Sequence, residues 1–310
     1  MRAFIFPGQG SQAVGMGQAL AQASSVAREV FQEVDEALGQ NLFRLMVEGP
    51  ADELMLTENA QPAIMANAIA TLRVLEREGG VRLADKAEFV AGHSLGEYTA
   101  LCAAESLGLA TTARLLRLRG QAMQAAVPVG QGAMAAILKL DFDAVAQAAE
   151  QAAQGEVCAV ANDNSPGQVV LSGHKAAIER ASELVKAAGG RAMPLPVSAP
   201  FHCPLMQPAA EAMDEALAKI DLRAPLVPVY ANVTAAPVAD PAEIKRLLVE
   251  QVTGTVRWRE SVLAMQAAGV HHFVEFGGKV LAPMIKRTTP DAEAVGVVSM
   301  EEIEALSTSL

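Results

Sequence analysis

Short apolar runs alternate with stretches of helical periodicity along most of this chain, which predicts a protein of the α/β class. The apolar runs predict strands, and helical spacing of apolar residues predicts amphipathic helices between them. We expect the helix over 61–78 to have Pro62 in its first turn, where proline is tolerated. We expect residues from Met300 onward to form a tail. The main predicted strands are 3–6, 89–92, 227–231, 272–276 and 295–299, and the main predicted helices are 61–78, 111–126, 206–218, 242–252 and 258–268.

The pattern changes at Ala133. From there the chain predicts a strand, a helix, two strands around the turn Asn164-Ser165-Pro166-Gly167, a second helix and a last strand. The order βαββαβ is typical of ferredoxin-like domains. We therefore expect residues 128–197 to form an inserted subdomain between two parts of a larger α/β domain, 1–127 and 198–310.

The segment Gly92-His93-Ser94-Leu95-Gly96 connects a predicted strand directly to a predicted helix. Gly-x-Ser-x-Gly in this setting is typical of a nucleophile elbow, a tight turn that projects a serine hydroxyl. The alternative is that Ser94 only caps the helix and forms a capping box with Glu97.

A serine nucleophile needs a base, and His202 is the histidine that lies in a rigid loop, between Pro200 and Pro204. It is either that base or a structural residue. His93 precedes the serine, and we expect it to pack beneath the elbow. No Asp or Glu is placed to complete a triad, but a backbone carbonyl or amide can also orient a histidine, which allows a dyad. That weakens the interpretation as a lipase-like hydrolase.

Composition limits the class of partner and the compartment. The net charge of −11 argues against nonspecific nucleic-acid binding. The three cysteines have no Cys-x-x-Cys spacing and predict reduced thiols in a cytoplasmic protein. No apolar run approaches the ~18 residues of a membrane span, and no signal peptide is expected. A monomer is the default expectation.

Together the motifs resemble those of the malonyl-CoA:acyl carrier protein transacylases, acyltransferases that load malonyl units for fatty acid synthesis. The resemblance covers nearly the whole chain, and it departs from the family at Gly277-Gly278-Lys279, one residue shorter than the usual Gly-x-Gly before the lysine. It implies a hydrolase-like parallel-sheet domain with an inserted ferredoxin-like subdomain. The motifs that carry it are Gly8-Gln9-Gly10-Ser11-Gln12, Gly92-His93-Ser94-Leu95-Gly96-Glu97-Tyr98, Leu118-Arg119-Gly120-Gln121, Asn164-Ser165-Pro166-Gly167-Gln168, Phe201-His202 and Gln251.

The resemblance also implies roles for individual residues. Ser94 would be the nucleophile, His202 its base, and the Gln251 main-chain carbonyl the group that orients the imidazole. Backbone N–H groups of Gln9 and Leu95 would form the oxyanion hole. Arg119 would bind the free malonyl carboxylate through a two-pronged contact, whereas Arg114 and Arg117 of the same helix are expected on a solvated face. Phe201 would exclude a methyl branch.

The implied reaction is ping-pong, with malonyl-CoA as substrate, CoA as product and acyl carrier protein as partner. No metal or redox cofactor is expected. Two alternatives use the same residues differently: a serine hydrolase or thioesterase, and a noncatalytic module that binds carrier protein. A basic patch for the acidic carrier protein would draw on Arg191, Lys279, Lys286 and Arg287.

Overall fold

The computed structural model describes residues 1–310 and contains two β-sheets. The larger sheet has the strand order β10-β9-β1-β2-β7-β8, in which all neighbours are parallel except the last pair. Its strands are β1 (Arg2–Phe6), β2 (Phe89–Gly92), β7 (Val229–Ala231), β8 (Ala236–Val238), β9 (His272–Phe276) and β10 (Glu293–Val297).

The smaller sheet is antiparallel and has the order β4-β5-β3-β6. Its strands are β3 (Gly132–Leu138), β4 (Cys158–Ser165), β5 (Gln168–His174) and β6 (Arg191–Pro194). Helices α9 (Phe142–Ala153) and α10 (Lys175–Ala187) connect them and bury their alanine- and valine-rich faces against one side of the sheet. This is the βαββαβ arrangement that the sequence predicts.

The remaining helices cover the larger sheet or extend from it. They are α1 (Gln18–Ala23), α2 (Ser25–Leu38), α3 (Leu42–Glu48), α4 (Ala51–Met55), α5 (Thr57–Arg77), α6 (Leu83–Lys86), α7 (Leu95–Ala103), α8 (Leu109–Ala125), α11 (Gln207–Ala218), α12 (Pro241–Thr253), α13 (Trp258–Ala267), α14 (Leu281–Thr288) and α15 (Met300–Ser309). None of these helices has both the length and the apolar character needed to span a membrane.

The core lies on both faces of β1, whose residues Ala3 to Phe6 are fully buried. Strands buried on both faces are continuous apolar runs, as β1 is. Phe4 packs edge-on against Phe276 of the neighbouring strand β9, with ring centroids 4.9 Å apart. Helix α5 is buried almost all round between α2 and α8, which fits its alanine-rich sequence.

Two predicted boundaries are wrong. Helix α5 begins at Thr57, a full turn before the predicted start, so Pro62 lies inside the helix. The extra turn is held by bonds from the Asn59 and Ala60 N–H groups to the Leu56 carbonyl and by close packing of Gly120 on Glu58.

Residues from Met300 form helix α15 rather than a tail. Ser299 and Glu302 make a capping box at its start, and Ile303 and Leu306 are buried. The Ser-x-x-Glu spacing was the available signal.

The short Gly277-Gly278 loop leads into α14, which begins at Leu281. Gly277 has φ +75°, and a side chain there would collide with the Ala68 backbone at 2.6 Å. The Asn67 side chain donates a 3.1 Å hydrogen bond to the Gly277 carbonyl and fixes the loop against α5.

Candidate active site

Ser94 lies in a strained turn between β2 and α7, at φ 54° and ψ −113°. Such a conformation costs a non-glycine residue about 1–3 kcal/mol and is found mainly at functional sites. Both glycines of the motif are required by sterics. A Cβ at Gly92 would lie 1.8 Å from the Gly96 carbonyl oxygen, and one at Gly96 would lie 2.3 Å from the Phe6 carbonyl oxygen.

The capping-box alternative is wrong, because the Ser94 side chain accepts no bond from the start of α7. Glu97 is buried, and its side chain makes no bond to the Ser94 N–H, which is bound by Asn232. Its Oε2 accepts hydrogen bonds from the Asn232 N–H at 3.0 Å and from Gln251 Nε2 at 2.8 Å. The Ser94 hydroxyl is therefore free to face the cleft.

His202 Nε2 lies 2.7 Å from Ser94 Oγ, and His202 Nδ1 lies 2.9 Å from the Gln251 main-chain oxygen. A carbonyl only accepts, so Nδ1 carries the proton and Nε2 presents its lone pair to the serine hydroxyl. Burial, reinforced by the Arg119 charge, lowers the pKa of His202 to about 3. The resting imidazole is therefore neutral, the form that a general base requires.

Arg119 projects from α8 into the same site and is 1% exposed. Its Nη1 donates to Gln61 Oε1 at 2.8 Å, while Nη2 donates to Gln251 Oε1 at 2.8 Å and to Ser94 Oγ at 3.1 Å. No carboxylate lies within ion-pair distance of the guanidinium. Burial lowers the pKa of Arg119, but guanidinium stays protonated in proteins. A buried cation without an anionic partner is costly, so the site is prepared for an anion.

The buried acid Glu97 is connected to Arg119 through the Gln251 amide, which accepts a hydrogen bond from Arg119 and donates one to Glu97. Burial raises the pKa of Glu97 to about 7. The Tyr98 ring packs 5.6 Å from the Arg119 guanidinium carbon, a distance at which the cation and the aromatic face attract each other.

The backbone N–H groups of Gln9 and Leu95 donate no hydrogen bond within the protein, and both residues line the cleft beside Ser94. Gln9 is held by a 2.9 Å bond from Thr57 Oγ1 to its side-chain oxygen. Gly8 lets this loop approach the elbow, since a Cβ there would lie 2.7 Å from the His93 carbonyl oxygen. Two free donors beside a nucleophile are the elements of an oxyanion hole.

The cleft that these groups share has a volume of about 240 Å³. It lies between the two sheets, because Met134 and Asn162 of the small sheet and Leu195 after β6 form one wall. Phe201, next to His202, is 8% exposed and forms part of the lining. The opposite wall carries Ser94 and Arg119.

The other candidate residues have packing or surface positions, although His93 also borders the cleft. The His93 ring bonds Asn164 Oδ1 at 2.7 Å and packs on Trp258, in line with the expected packing role. Arg114 is exposed as expected. Arg117 was expected on a solvated face, and this prediction is wrong. The residue is half-buried, and its Nε and Nη2 atoms have no hydrogen-bond partner.

Sequence reasoning missed three residues of the site. No local sequence pattern indicates that Gln61 lies in the site or that the Glu97 side chain is buried there. Asn232 has one, because it directly follows β7, the strand beside β2, and ligand-binding side chains of parallel sheets cluster at the carboxyl ends of strands.

Comparison with known proteins gives the same family as the motifs. Residues 3–299 match the model of the acyl transferase domain. The chain is 46% identical over 310 residues to a malonyl CoA-acyl carrier protein transacylase of Salmonella typhimurium, covering 99% of this chain and 98% of that protein. It is 45% identical to the Bacillus subtilis protein of the same name, covering 97% of this chain and 95% of that one.

Solved structures of similar fold carry names of the same kind. An acyl-carrier-protein-S-malonyltransferase from Bartonella henselae superimposes with a TM-score of 0.97 and 51% identity, covering 99% of this chain and 98% of that one. A malonyl-transacylase solved in complex with a type II PKS acyl-carrier protein has a TM-score of 0.96 and 40% identity, covering 100% and 99% of the two chains. The resemblance drawn from the motifs and the predicted α/β architecture with a second small sheet are confirmed.

Proposed function

The chain belongs to the acyl transferase family, and we propose that the cleft around Ser94 carries out the malonyl transfer for which its relatives are named. The chain transfers malonyl groups from malonyl-CoA to acyl carrier protein, in the service of fatty acid synthesis. The observation that carries the assignment of residues is Arg119, a buried guanidinium without an ion-pair partner, 3.1 Å from the nucleophile oxygen.

In the first half-reaction, the Ser94 hydroxyl attacks the thioester carbonyl carbon while its proton passes to His202 Nε2. The oxygen of the tetrahedral intermediate accepts hydrogen bonds from the Gln9 and Leu95 N–H groups; one such donor is typically worth about 3–4 kcal/mol. The carbon–sulfur bond then breaks, and the CoA thiolate takes the proton from His202. The product is malonyl-Ser94.

In the second half-reaction, the phosphopantetheine thiol of the carrier protein gives its proton to His202 and attacks the malonyl ester. Collapse of the intermediate returns that proton to Ser94 and releases malonyl carrier protein. The Gln251 carbonyl holds the same imidazole tautomer throughout, so a carboxylate is not needed.

Arg119 supplies selectivity for the acyl group. Nη1 has one hydrogen on Gln61 and one free, and the Nη2 bond to Ser94 Oγ can be exchanged for one to substrate. A malonyl carboxylate therefore receives two parallel charge-assisted bonds. An acetyl group offers nothing to this buried cation, and a site built for a polar group rejects the analogue that lacks it.

Acyl carrier protein is the partner, and we propose that basic residues of this chain dock it. Of the basic candidates, Lys279 forms an ion pair with Glu302, Lys286 and Arg287 lie in the last turn of α14, and Arg191 begins β6. A monomeric state, a cytoplasmic location and catalysis without metal or redox cofactor are likewise proposed. Sedimentation, cell fractionation and metal analysis of active enzyme test them.

The deciding experiment is intact-mass spectrometry after mixing the protein with malonyl-CoA or acetyl-CoA, with Ser94→Ala as control. A malonyl adduct that is absent from Ser94→Ala, weak or absent with acetyl-CoA, and lost when holo carrier protein is added supports the proposal. Free malonate released without transfer would indicate a hydrolase. Carrier-protein binding without any adduct would indicate a binding module.

A further inference from the structure

We propose that Asn232 is a positioning residue for the nucleophile: its side-chain amide clamps both ends of the strained turn at Ser94. The inference rests on Ser94 being the nucleophile, as proposed above. Asn232 does not line the cleft, so it acts by holding the turn at Ser94 and not by contact with substrate.

The clamp has two bonds. Asn232 Oδ1 accepts from the Ser94 N–H at 2.8 Å, and Asn232 Nδ2 donates to the Gly92 carbonyl at 2.7 Å. The pairing of β2 with β7 ends at Ala91, one residue before this carbonyl. Beyond the end of this pairing, the Asn232 side chain provides the hydrogen bonds that β7 does not, and it thereby pairs both the Ser94 N–H and the Gly92 carbonyl.

The clamp is itself held in place. The Asn232 N–H donates to Glu97 Oε2, and the same oxygen accepts from Gln251 Nε2, which also donates to the Ser94 carbonyl at 3.0 Å. One buried carboxylate oxygen therefore holds the Asn232 backbone and the Gln251 side-chain amide, and Gln251 Nε2 also donates to Asn232 Oδ1 at 3.2 Å. Only an amide, with one acceptor and one donor, satisfies Ser94 N–H and Gly92 C=O together at every pH.

A protonated carboxylic acid has the same pair of functions, which makes Asn232→Asp a titratable version of the clamp. When protonated, the introduced carboxyl group would accept from the Ser94 N–H and donate to the Gly92 carbonyl. When ionised it would only accept, and its second oxygen would repel that carbonyl. Burial beside Glu97 favours the protonated form at low pH.

The measurement is the single-turnover rate of Ser94 acylation by saturating malonyl-CoA, divided by the wild-type rate at the same pH. Division by the wild-type rate corrects for the groups near the turn that are common to both proteins, which are the titratable Glu97, His93 and His202 and the permanently protonated Arg119. For Asn232→Asp we expect a ratio close to one at pH 5 and about 10²-fold lower at pH 8.5, the cost of a small misplacement of a reacting group.

The matched control is Asn67→Asp, a second buried asparagine (7% exposed, against 1% for Asn232) that also donates to a backbone carbonyl but lies at the Gly277 loop. It should lower thermal stability while its acylation ratio stays independent of pH. A ratio near one at both pH values for Asn232→Asp overturns the proposal. A low ratio that does not recover at pH 5, with a stability loss like that of Asn67→Asp, also overturns it.

Asn232→Ala keeps the proposal testable if the aspartate variant does not fold. It should acylate about 10²-fold more slowly at both pH values, with KM little changed. Acylation at the wild-type rate would refute the clamp. A fluorophosphonate probe of serine reactivity reports the clamp without malonyl-CoA, so failure of the clamp and failure of the proposed function are distinguishable.

Discussion

Removing the guanidinium with Arg119→Ala is the sharpest test of how the cleft selects its substrate. The side chain can offer one N–H from each terminal nitrogen to a malonyl carboxylate, and it is already desolvated before substrate arrives. Two bonds to a charged group contribute roughly 3–5 kcal/mol, as does pairing of an otherwise isolated buried charge. We therefore expect kcat/KM for malonyl-CoA to fall by a factor of about 10² to 4 × 10³.

Acetyl-CoA lacks the carboxylate, so its kcat/KM should change by less than about fivefold, and the ratio of the two substrates should collapse. Arg117→Ala is the matched control, because Arg117 lies two positions earlier on α8 and does not line the cleft. Steady-state assays with both thioesters, alongside thermal unfolding, give the comparison. An equal loss for both substrates, or no loss for malonyl-CoA, would refute the role of Arg119 in binding the carboxylate.

Four further perturbations test other parts of the site. His202→Ala should slow single-turnover acylation about 10²- to 10⁴-fold, and an unchanged rate would exclude His202 as the base. Burial raises the Glu97 pKa from 4.5 to about 7, so the stability that the protonated carboxyl contributes is lost as pH rises between those values. In urea unfolding, the free energy of unfolding of Glu97→Gln should therefore rise by up to ~3 kcal/mol relative to wild type over this pH range. A difference that stays constant with pH would contradict this. Gly92→Ala should cost more than about 3 kcal/mol, whereas Gly108→Ala, where a Cβ meets open space, should stay within about 1 kcal/mol; equal effects would contradict the steric argument. Phe201→Ser should raise kcat/KM for methylmalonyl-CoA relative to malonyl-CoA, and an unchanged ratio would show that Phe201 does not crowd the α carbon.

The geometry of the turn at Ser94 is largely predictable from the sequence because it depends on local contacts. Gly92 and Gly96 are required by contacts of the elbow with itself and with β1, and the motif contains both within five residues. The change of periodicity at Ala133 likewise indicated the small sheet, since alternation and helical spacing record which side of each element is buried. The capping box of helix α15 is also a local signal, present in the sequence as Ser299-x-x-Glu302.

Arg119 shows the limit of such patterns. On the helix it cannot be distinguished from Arg114 or Arg117 by residue type, and only the family resemblance singled it out. The fold decided that one of the three points into the cleft, one is exposed and one is half-buried.

The sequence by itself determined the elements that carry Ser94 and the loop that carries His202, because backbone sterics and periodic burial act over a few residues. Only the tertiary structure brought Asn232 and Gln251 to the Ser94 peptide groups, across separations of 138 and 157 residues. The side-chain amides of Asn232 and Gln251 bind partners on other elements. No local sequence pattern predicts such a hydrogen bond, because its donor and acceptor meet only when the sheet assembles.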